Sequence, residues 1–359
     1  MSEQSMEMSF RRWCLIIGVA ALVAICAPAQ RLRSPWNGET VKMTDATYTC
    51  PAAPKFARTM DLDGYYTDKK YSIIDPKKLA EFNAVSSGPT HLGQYASKAA
   101  DAYRTSGSRA AAECVYSLLD AAAKADAWDG KMPKLNGVYI QNWMLSGTAI
   151  AYLKVRDSGV GTAEQDEEIQ KWFHLVAERV VAYFSMQREY PGSDAYNNHM
   201  YWAGLAVAAE GVTNNNRRDF AWGMDAYRMG ADAIEPDGTL AAEMARGQRA
   251  MHYHLYALGP LIMLAEFGEA NGMNLYAEDD GAIHRLVAFN TAVLDDPEAI
   301  AKRAGAAQVY SRPYNGLDIG WAVPYVKRFP KAKPSAALAA MLTQAQWTGF
   351  WQWGGLPPG

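Results

Sequence analysis

The stretch Asn197-Asn198-His199-Met200-Tyr201-Trp202 contains two amides, an imidazole and two aromatic rings within a few residues. The preceding run, residues 190–194, contains Pro, Gly, Ser and Asp and predicts a loop. Residues 201–209 are apolar and favour a helix. The amides and the imidazole therefore stand at a helix entrance, where free backbone N–H groups favour an anion. One Asn is explained as an N-cap; the second Asn, the His and the rings suggest a binding site.

A second polar stretch, residues 243–258, contains one helix-breaking residue, Gly247, and predicts a single helix. At about 100° per residue, Arg246 and Tyr253 would point in nearly the same direction, two turns apart. Arg249 would fall close to the same face. The stretch therefore predicts one helix face that carries two guanidinium groups and a phenol.

The rest of the chain from Leu92 onward also shows apolar residues at helical spacing, and we find no period-two strand pattern. Short turns rich in Gly, Pro, Asn and Asp separate the segments. About ten helices joined by such turns predict an all-α fold of antiparallel helix pairs, a toroid or a bundle. The absence of a solenoid repeat period favours the toroid. The predicted helices are Ser97–Arg104, Ser108–Ala125, Val138–Arg156, Glu164–Gln187, Tyr201–Gly211, Asp219–Ile234, Leu240–Asn271, Ile283–Val293, Gly320–Phe329 and Ala336–Trp353.

The two polar stretches together resemble the periplasmic alginate lyases, the poly(mannuronate) lyases, which fold as an incomplete α/α toroid. The resemblance rests on Asn-Asn-His-x-Tyr-Trp from Asn197 and on Arg-x-Gln-Arg-Ala-x-x-Tyr-His-x-Tyr-Ala-Leu from Arg246, and it extends loosely over residues 54–354. It implies that residues 91–359 form a toroidal catalytic domain acting on mannuronate-rich alginate. Two positions depart from the family pattern, Met200, where a small polar residue is expected, and Gly247 within the arginine run.

The residue types in these stretches suit β-elimination at a uronate, because proton abstraction at C5 places charge on the neighbouring carboxylate. Asn198 and Arg246 can neutralise that carboxylate. His199 can act as the base or hold the carboxylate. Tyr253, beside Arg246 and Arg249, is predicted to favour its phenolate, take the C5 proton and return a proton to the 4-oxygen. One Tyr can serve both steps on mannuronate, whereas guluronate needs the opposite ring face and makes His199 the predicted base.

Further candidates for substrate contact lie outside the catalytic set. Residues 65–71 form an aromatic and basic cluster on a predicted loop, and the resemblance implies a lid that brings basic and Tyr side chains to the substrate. Trp143 stands among polar neighbours on a predicted helix and could stack on a sugar ring. The candidate substrate-binding residues are Lys69, Lys70, Tyr71, Asn136, Trp143, Arg249 and His254.

Three alternatives remain open from the sequence. A glycoside hydrolase would use a carboxylate pair, for which Glu235 and Glu243 are near enough to the motifs. A binding or secretion-complex module would keep the aromatic and basic groove without needing His199 and Tyr253 together. A lyase for another polyuronate, such as a glucuronan, would differ only in stereochemistry.

Composition limits the class of partner. Lys and Arg number 35 against 38 Asp and Glu, a net charge of −3, which argues against nucleic acid but not against an acidic polysaccharide, because a groove can be basic while the whole protein is not. The resemblance implies alginate as the partner, and we expect a monomer. We expect no metal and no organic cofactor. His252 and His254 would lie on widely separated helix faces and could not share one ion.

The N-terminal residues predict export to the periplasm. An Arg pair precedes an apolar run and an Ala-Pro-Ala cleavage motif, as in a signal peptide spanning residues 1–29, so no membrane association is expected after cleavage. Residues 30–90 are predicted to be an extended segment that includes the lid loop. Cys50 and Cys114 remain after cleavage, and two cysteines in an exported chain predict one disulfide.

Overall fold

The computed structural model describes residues 30–309, 315–344 and 349–359; the predicted signal peptide lies outside these ranges. Within them strand pairing is limited to isolated bridges, so the all-α prediction is confirmed. None of the described helices has the length and apolar content needed to cross a bilayer. The α-helices are α1 (Pro76–Ser106), α2 (Arg109–Lys124), α3 (Leu135–Val155), α4 (Ala163–Gln187), α5 (Asn198–Asn214), α6 (Arg217–Asp232), α7 (Ala241–Met244), α8 (Ala250–Ala270), α9 (Glu278–Asp295), α10 (Pro297–Ala304), α11 (Gly316–Ile319), α12 (Ala322–Arg328) and α13 (Ser335–Gln344).

The helices of residues 32–359 form two layers. Helices α1, α3, α5 and α8 pack one against the next, whereas α2, α4, α6 and α9 pack against them from outside. The sequence explains the division, because α3, α5 and α8 are buried along almost their whole length, while α2 and α6 alternate buried and exposed faces. Alternating inner and outer helices are the arrangement of an α/α toroid, as predicted.

Glycines allow the inner and outer layers to approach closely. Gly204 on α5 faces Ala226 on α6, and Gly223 on α6 faces Ala208 on α5. A Cβ atom built on Gly204 would lie 2.4 Å from the Ala226 Cβ, closer than packed carbon atoms approach. The contact between α5 and α6 therefore requires these small residues.

Three predicted boundaries are wrong. Helix α1 begins at Pro76, after an Asp75 side chain that accepts from the next turn, so residues 76–90 are helical, not extended. The predicted helix over Leu240–Asn271 is broken between α7 and α8 because Gly247 has a left-handed φ of 58°. The last predicted helix, Ala336–Trp353, ends in α13; residues 345–348 lie outside the described ranges and Trp351–Trp353 form a 3-10 turn.

A disulfide and a buried lysine attach the outlying segments to the helices. Cys50 and Cys114 are bonded, with Cα atoms 5.5 Å apart, which confirms the predicted disulfide. The Lys154 ammonium donates to Asp101 Oδ1 at 2.7 Å and to the carbonyls of Gly354 and Leu356 at 2.6 and 2.7 Å. This lysine therefore holds the segment 349–356, and with it the 3-10 turn, against α1 and α3.

Candidate active site

A cleft of about 630 Å³ opens beside the N-terminal end of α5. Its walls come from the loop before α1, the start of α3, the loop before α5, and α8. Aromatic and polar side chains dominate the lining, as in sites that bind sugars. The residues that line it include Tyr65, Tyr66, Tyr71, Asn136, Tyr139, Trp143, Tyr183, Asp194, Asn197, His199, Arg246, His252, Tyr253, Tyr256 and Gln352.

The two amides at the start of α5 have different surroundings. Asn197 is the N-cap and lines the cleft, and its Oδ1 accepts from the His199 backbone N–H at 2.9 Å. Asn198 is fully buried, and both its backbone N–H and its Nδ2 donate to Glu243 Oε1 at 2.9 Å. Asn198 does not line the cleft, so the direct contact with substrate predicted for it is not supported by its position. It joins α5 to α7 behind His199.

The His199 ring forms part of the cleft wall. It stacks on Tyr139 with ring centroids 3.7 Å apart and 8° between planes, and its Nδ1 is buried without a hydrogen-bond partner. Burial, assisted by the positive charge of Arg246, lowers the pKa of His199 to about 3. The imidazole is therefore neutral at neutral pH.

Arg246 and Tyr253 meet, although no continuous helix connects them. The Arg246 guanidinium lies over the Tyr253 ring, 3.6 Å from its centroid, and the Tyr253 and Tyr66 hydroxyls are 2.9 Å apart. The turn at Gly247 places Arg246 above the first turn of α8. The predicted pairing is therefore achieved through the turn at Gly247, not by the spacing of a continuous helix.

The predicted preference of Tyr253 for its phenolate is wrong in the free protein. Burial raises the pKa of Tyr253 well above its usual value near 10, and the charge of Arg246 opposes this rise without cancelling it. Tyr253 is buried to all but 7% of its surface. It is therefore a neutral phenol at neutral pH in the absence of substrate.

The loop before α1 is a compact hairpin. Tyr66 forms an antiparallel bridge with Ile74, and Asp68 accepts from the backbone N–H groups of Ser72 and Ile73 at 2.8 and 2.7 Å. Loss of hydration would raise the pKa of Asp68, but the hydrogen bonds it accepts lower it to about 2. These bonds hold Tyr71 in a left-handed conformation, φ 51°, which costs about 1–2 kcal/mol.

The hairpin is docked on the arginine segment. Arg246 Nε donates to the Lys70 carbonyl at 3.1 Å, and Gln248 Nε2 donates to the Ser72 carbonyl at 2.9 Å. Tyr71 lines the cleft and lies 5.3 Å from the Arg246 guanidinium. The side chains of Lys69 and Lys70 are exposed and do not line the cleft.

An aromatic wall faces the arginine segment. Trp143 lines the cleft, as predicted, and its ring is stacked with Tyr139 at 6.1 Å. Asp194 Oδ2 accepts from the hydroxyls of Tyr139 and Tyr183 at 3.0 and 2.9 Å. Asn136 also lines the cleft. Tyr139 lies one helical turn before Trp143, a spacing from which the sequence could have identified it.

His254 and Arg249, both predicted to bind substrate, lie outside the lining of the cleft. His254 is fully buried, its Nδ1 lies 2.8 Å from the Ala250 carbonyl and its Nε2 accepts from the Leu240 backbone N–H at 3.0 Å. His254 therefore has no access to substrate, and its assignment to substrate binding is wrong; His252 lines the cleft instead. Arg249 lies outside the lining, with its guanidinium 5.8 Å from the Tyr66 ring.

The cleft does not offer the carboxylate pair that the hydrolase alternative requires. Among the residues that line it in the described ranges, Asp194 is the one acidic side chain. Glu243 is 1% exposed and both of its oxygens accept from Asn198; Glu235 is exposed and outside the lining. The cleft instead combines a guanidinium, a neutral imidazole and a buried phenol, as an elimination at a uronate requires.

The fold and the cleft are those of a polysaccharide lyase of the α/α toroid type. The alginate lyase A1-III of Sphingomonas species A1 superposes with a TM-score of 0.70 at 26% identity, covering 92% of this chain and 89% of that one. A variant of that lyase with a histidine replaced by alanine, in complex with a tetrasaccharide, superposes with a TM-score of 0.74 at 26% identity, covering 87% and 86%.

The sequence relatives lead to the same family. A polysaccharide lyase of Stenotrophomonas maltophilia is 39% identical over 266 residues, 72% of this chain and 77% of the relative. An alginate lyase of Pseudomonas syringae pv. syringae is 33% identical over 304 residues, 80% of this chain and 77% of the relative. The alginate lyase family model matches residues 52–300. The chain belongs to the alginate lyase family.

Proposed function

We propose that this protein cleaves mannuronate-rich alginate by β-elimination and leaves 4,5-unsaturated uronate ends. The observation that carries the proposal is the Arg246 guanidinium 3.6 Å from the Tyr253 ring in a cleft that His199 also lines. A relative of the same fold binds a tetrasaccharide, and the aromatic walls here suit a sugar chain. We place Lys69, Lys70 and Arg249 in gathering the polyanion, and Tyr71, Asn136 and Trp143 in contact with it.

The uronate carboxylate is the group that must be neutralised. Arg246 offers a charged donor and His199 a neutral imidazole in the cleft wall, and hydrogen bonds from them to the carboxylate oxygens would strengthen as charge moves onto those oxygens. Asn198 acts as a positioning residue, since its amide is held by Glu243 behind the histidine. This assignment replaces the direct role predicted from the sequence.

Tyr253 moves the proton. In the fraction of molecules in which Tyr253 is ionised, a fraction that rises with pH, its phenolate takes the C5 proton, the electrons of the C–H bond form the C4–C5 double bond, and the C4–O bond breaks toward the leaving oxygen. That oxygen then takes the proton from Tyr253, which restores the phenolate. One residue suffices for mannuronate because both events occur on one face of the ring. For guluronate the opposite face is used, and His199 is the alternative base.

The pH dependence separates these two bases. The raised pKa of Tyr253 means that the phenolate fraction, and with it kcat/KM, rises with pH through the range 7–9. A reaction that uses His199, whose pKa is lowered to about 3, would be independent of pH across that range. The measurement is the initial rate against pH on mannuronate and guluronate blocks. A flat profile on mannuronate would remove Tyr253 as the base.

The activity itself is tested by ultraviolet absorbance, because the new double bond is conjugated with the carboxylate. Purified protein is incubated separately with mannuronate blocks, guluronate blocks and a glucuronan. We expect the fastest rise in absorbance on mannuronate blocks. A faster rise on glucuronan would make that polymer the substrate, and binding without any rise would identify a non-catalytic binding module. Cleavage without absorbance would identify a hydrolase.

The cellular location follows from the N-terminal sequence. We assign residues 1–29 to a cleaved signal peptide and the mature protein to the periplasm, where the Cys50–Cys114 disulfide is stable. Mass spectrometry of the protein recovered from a periplasmic extract measures the mature N-terminus. A mature chain that retains residues 1–29 would overturn the assignment.

A further inference from the structure

A second cluster of polar side chains lies at the opposite end of α5 from the cleft. It joins His174 on α4, Glu210 on α5 and Asp219 on α6, and one nitrogen or oxygen atom from each lies within 4.8 Å of the others. Glu210 is three turns beyond His199 along α5, about 16 Å at 1.5 Å per residue. The cluster is therefore separate from the proposed catalytic residues.

The two carboxylates of the cluster are buried with little compensation. Glu210 is fully buried and Asp219 is 6% exposed. Among the residues that the structure describes, the His174 ring is the one basic group within ion-pairing distance of either carboxylate. The Glu210 Oε2 atom is buried and has no hydrogen-bond partner. Two acidic groups and one imidazole are thus brought together away from water, an arrangement in which a bound cation can take the place of a proton.

The distances within the cluster match a metal site. His174 Nδ1 lies 3.2 Å from Glu210 Oε1 and 3.6 Å from Asp219 Oδ2. Ligands at 2.0–2.2 Å from a tetrahedral zinc ion are separated by about 3.4 Å. We propose that His174, Glu210 and Asp219 bind a divalent transition-metal cation, zinc in the first instance, with a fourth position open to water. One nitrogen and two oxygen donors suit zinc better than calcium.

Neighbouring amides orient the proposed ligands. Asn214 Nδ2 donates to Glu210 Oε1 at 2.5 Å, and Asn216 Nδ2 donates to Asp219 Oδ2 at 2.6 Å. Such partners hold carboxylate ligands in place in metal sites. The side chain of His174 is 42% exposed, which gives an ion a path to the site. A bound ion would connect α4, α5 and α6 and would stabilise the outer layer without taking part in elimination.

The test is zinc binding by the full-length protein after removal of metals with a chelator. Calorimetric titration with zinc chloride should give one ion per chain, and added zinc should raise the Tm. His174→Ala removes the half-exposed ligand and should weaken binding by ~100-fold or more. His91→Ala, which removes an exposed histidine on α1, is the matched control and should leave affinity and Tm shift unchanged.

Asp219→Asn tests a second proposed ligand of the cation. Asp219→Asn should weaken zinc binding as His174→Ala does, with elimination activity unchanged in both. Equal zinc affinity in wild type and both variants, or no saturable binding in the wild type, would overturn the proposal. Tight calcium binding that His174→Ala does not affect would also overturn it, because the imidazole would then not be a ligand.

Discussion

A buried glutamate lies at each end of helix α5, Glu243 of α7 at one end and Glu210 of α5 itself at the other. The two carboxylates differ in their hydrogen bonds. At the N-terminal end, Glu243 receives hydrogen bonds from the backbone and side chain of Asn198, so that both carboxylate oxygens have partners. At the C-terminal end, Glu210 Oε1 receives a hydrogen bond from Asn214 and lies 3.2 Å from His174 Nδ1, whereas Oε2 has no partner. At the N-terminal end, therefore, every oxygen of the buried carboxylate is hydrogen-bonded, and the contact joins α5 to α7 behind the cleft. The second end leaves one buried carboxylate oxygen without a hydrogen-bond partner, at the site where we propose a cation.

The largest expected effect is at the cleft end. Tyr253→Phe removes one hydroxyl and keeps the ring under Arg246, so the fold and substrate affinity should persist while kcat falls by about 10²–10⁴. The control is Tyr227→Phe, which removes a hydroxyl that donates to the Leu275 carbonyl in the core. Elimination rates on mannuronate blocks measure the effect. Wild-type activity in folded Tyr253→Phe protein would show that the proton is moved elsewhere.

Replacement of the Arg246 guanidinium should lower kcat somewhat less than Tyr253→Phe does. Arg246→Ala should lower kcat by about 10²–10³, the scale for one donor that stabilises a developing oxyanion, and raise KM less. Arg109→Ala, at an exposed position on α2, controls for the loss of a surface charge. If Arg246→Ala changes KM alone, Arg246 only docks the polymer.

The comparison of the two glutamates can be tested directly, because the same side-chain volume is removed in each case. Glu243→Ala leaves the Asn198 donors buried without an acceptor, which costs about 1–3 kcal/mol beyond the loss of packing. Glu210→Ala removes a buried carboxylate of which one oxygen, Oε2, has no hydrogen-bond partner, and should cost less unfolding free energy in the presence of a chelator. Urea unfolding of both variants measures the difference. Equal losses of unfolding free energy would remove the contrast.

The smallest expected effect is at the hairpin that covers the cleft. Lys70→Ala removes an exposed charge outside the lining and should raise KM between about 1.5- and 5-fold, the scale of an exposed ion pair, with kcat unchanged. High salt should erase the difference. Lys77→Ala, on the exposed side of α1, is the control. A loss of kcat in Lys70→Ala would mean that the lysine acts on the transition state.

Much of the fold could be predicted from the sequence because helical periodicity and turn residues are local features. Helices α2, α3 and α4 were placed to within about three residues at each end. The start of α1 was missed although Asp75 and Pro76 form a recognisable helix entrance. The helix break at Gly247 could not be predicted from local helix propensity, because a single glycine is tolerated inside a helix.

The site was predicted less completely, since its geometry depends on packing between distant segments. Arg246 and Tyr253 were paired for an incorrect reason, a helix face that does not exist. Asn198 and His254 were assigned to substrate because their types suit it, but burial directs both to partners inside the protein. The cluster around Glu210 brings together three helices, and no sequence spacing reveals it.

The segment held by Lys154 has a consequence for the order of assembly. Gln352 lines the cleft and accepts from the Tyr256 hydroxyl at 2.7 Å, across 96 positions of sequence. Every proposed catalytic residue precedes this partner in the sequence. The cleft wall is therefore complete only when residues 349–356 have docked on α1 and α3, where Lys154 holds them.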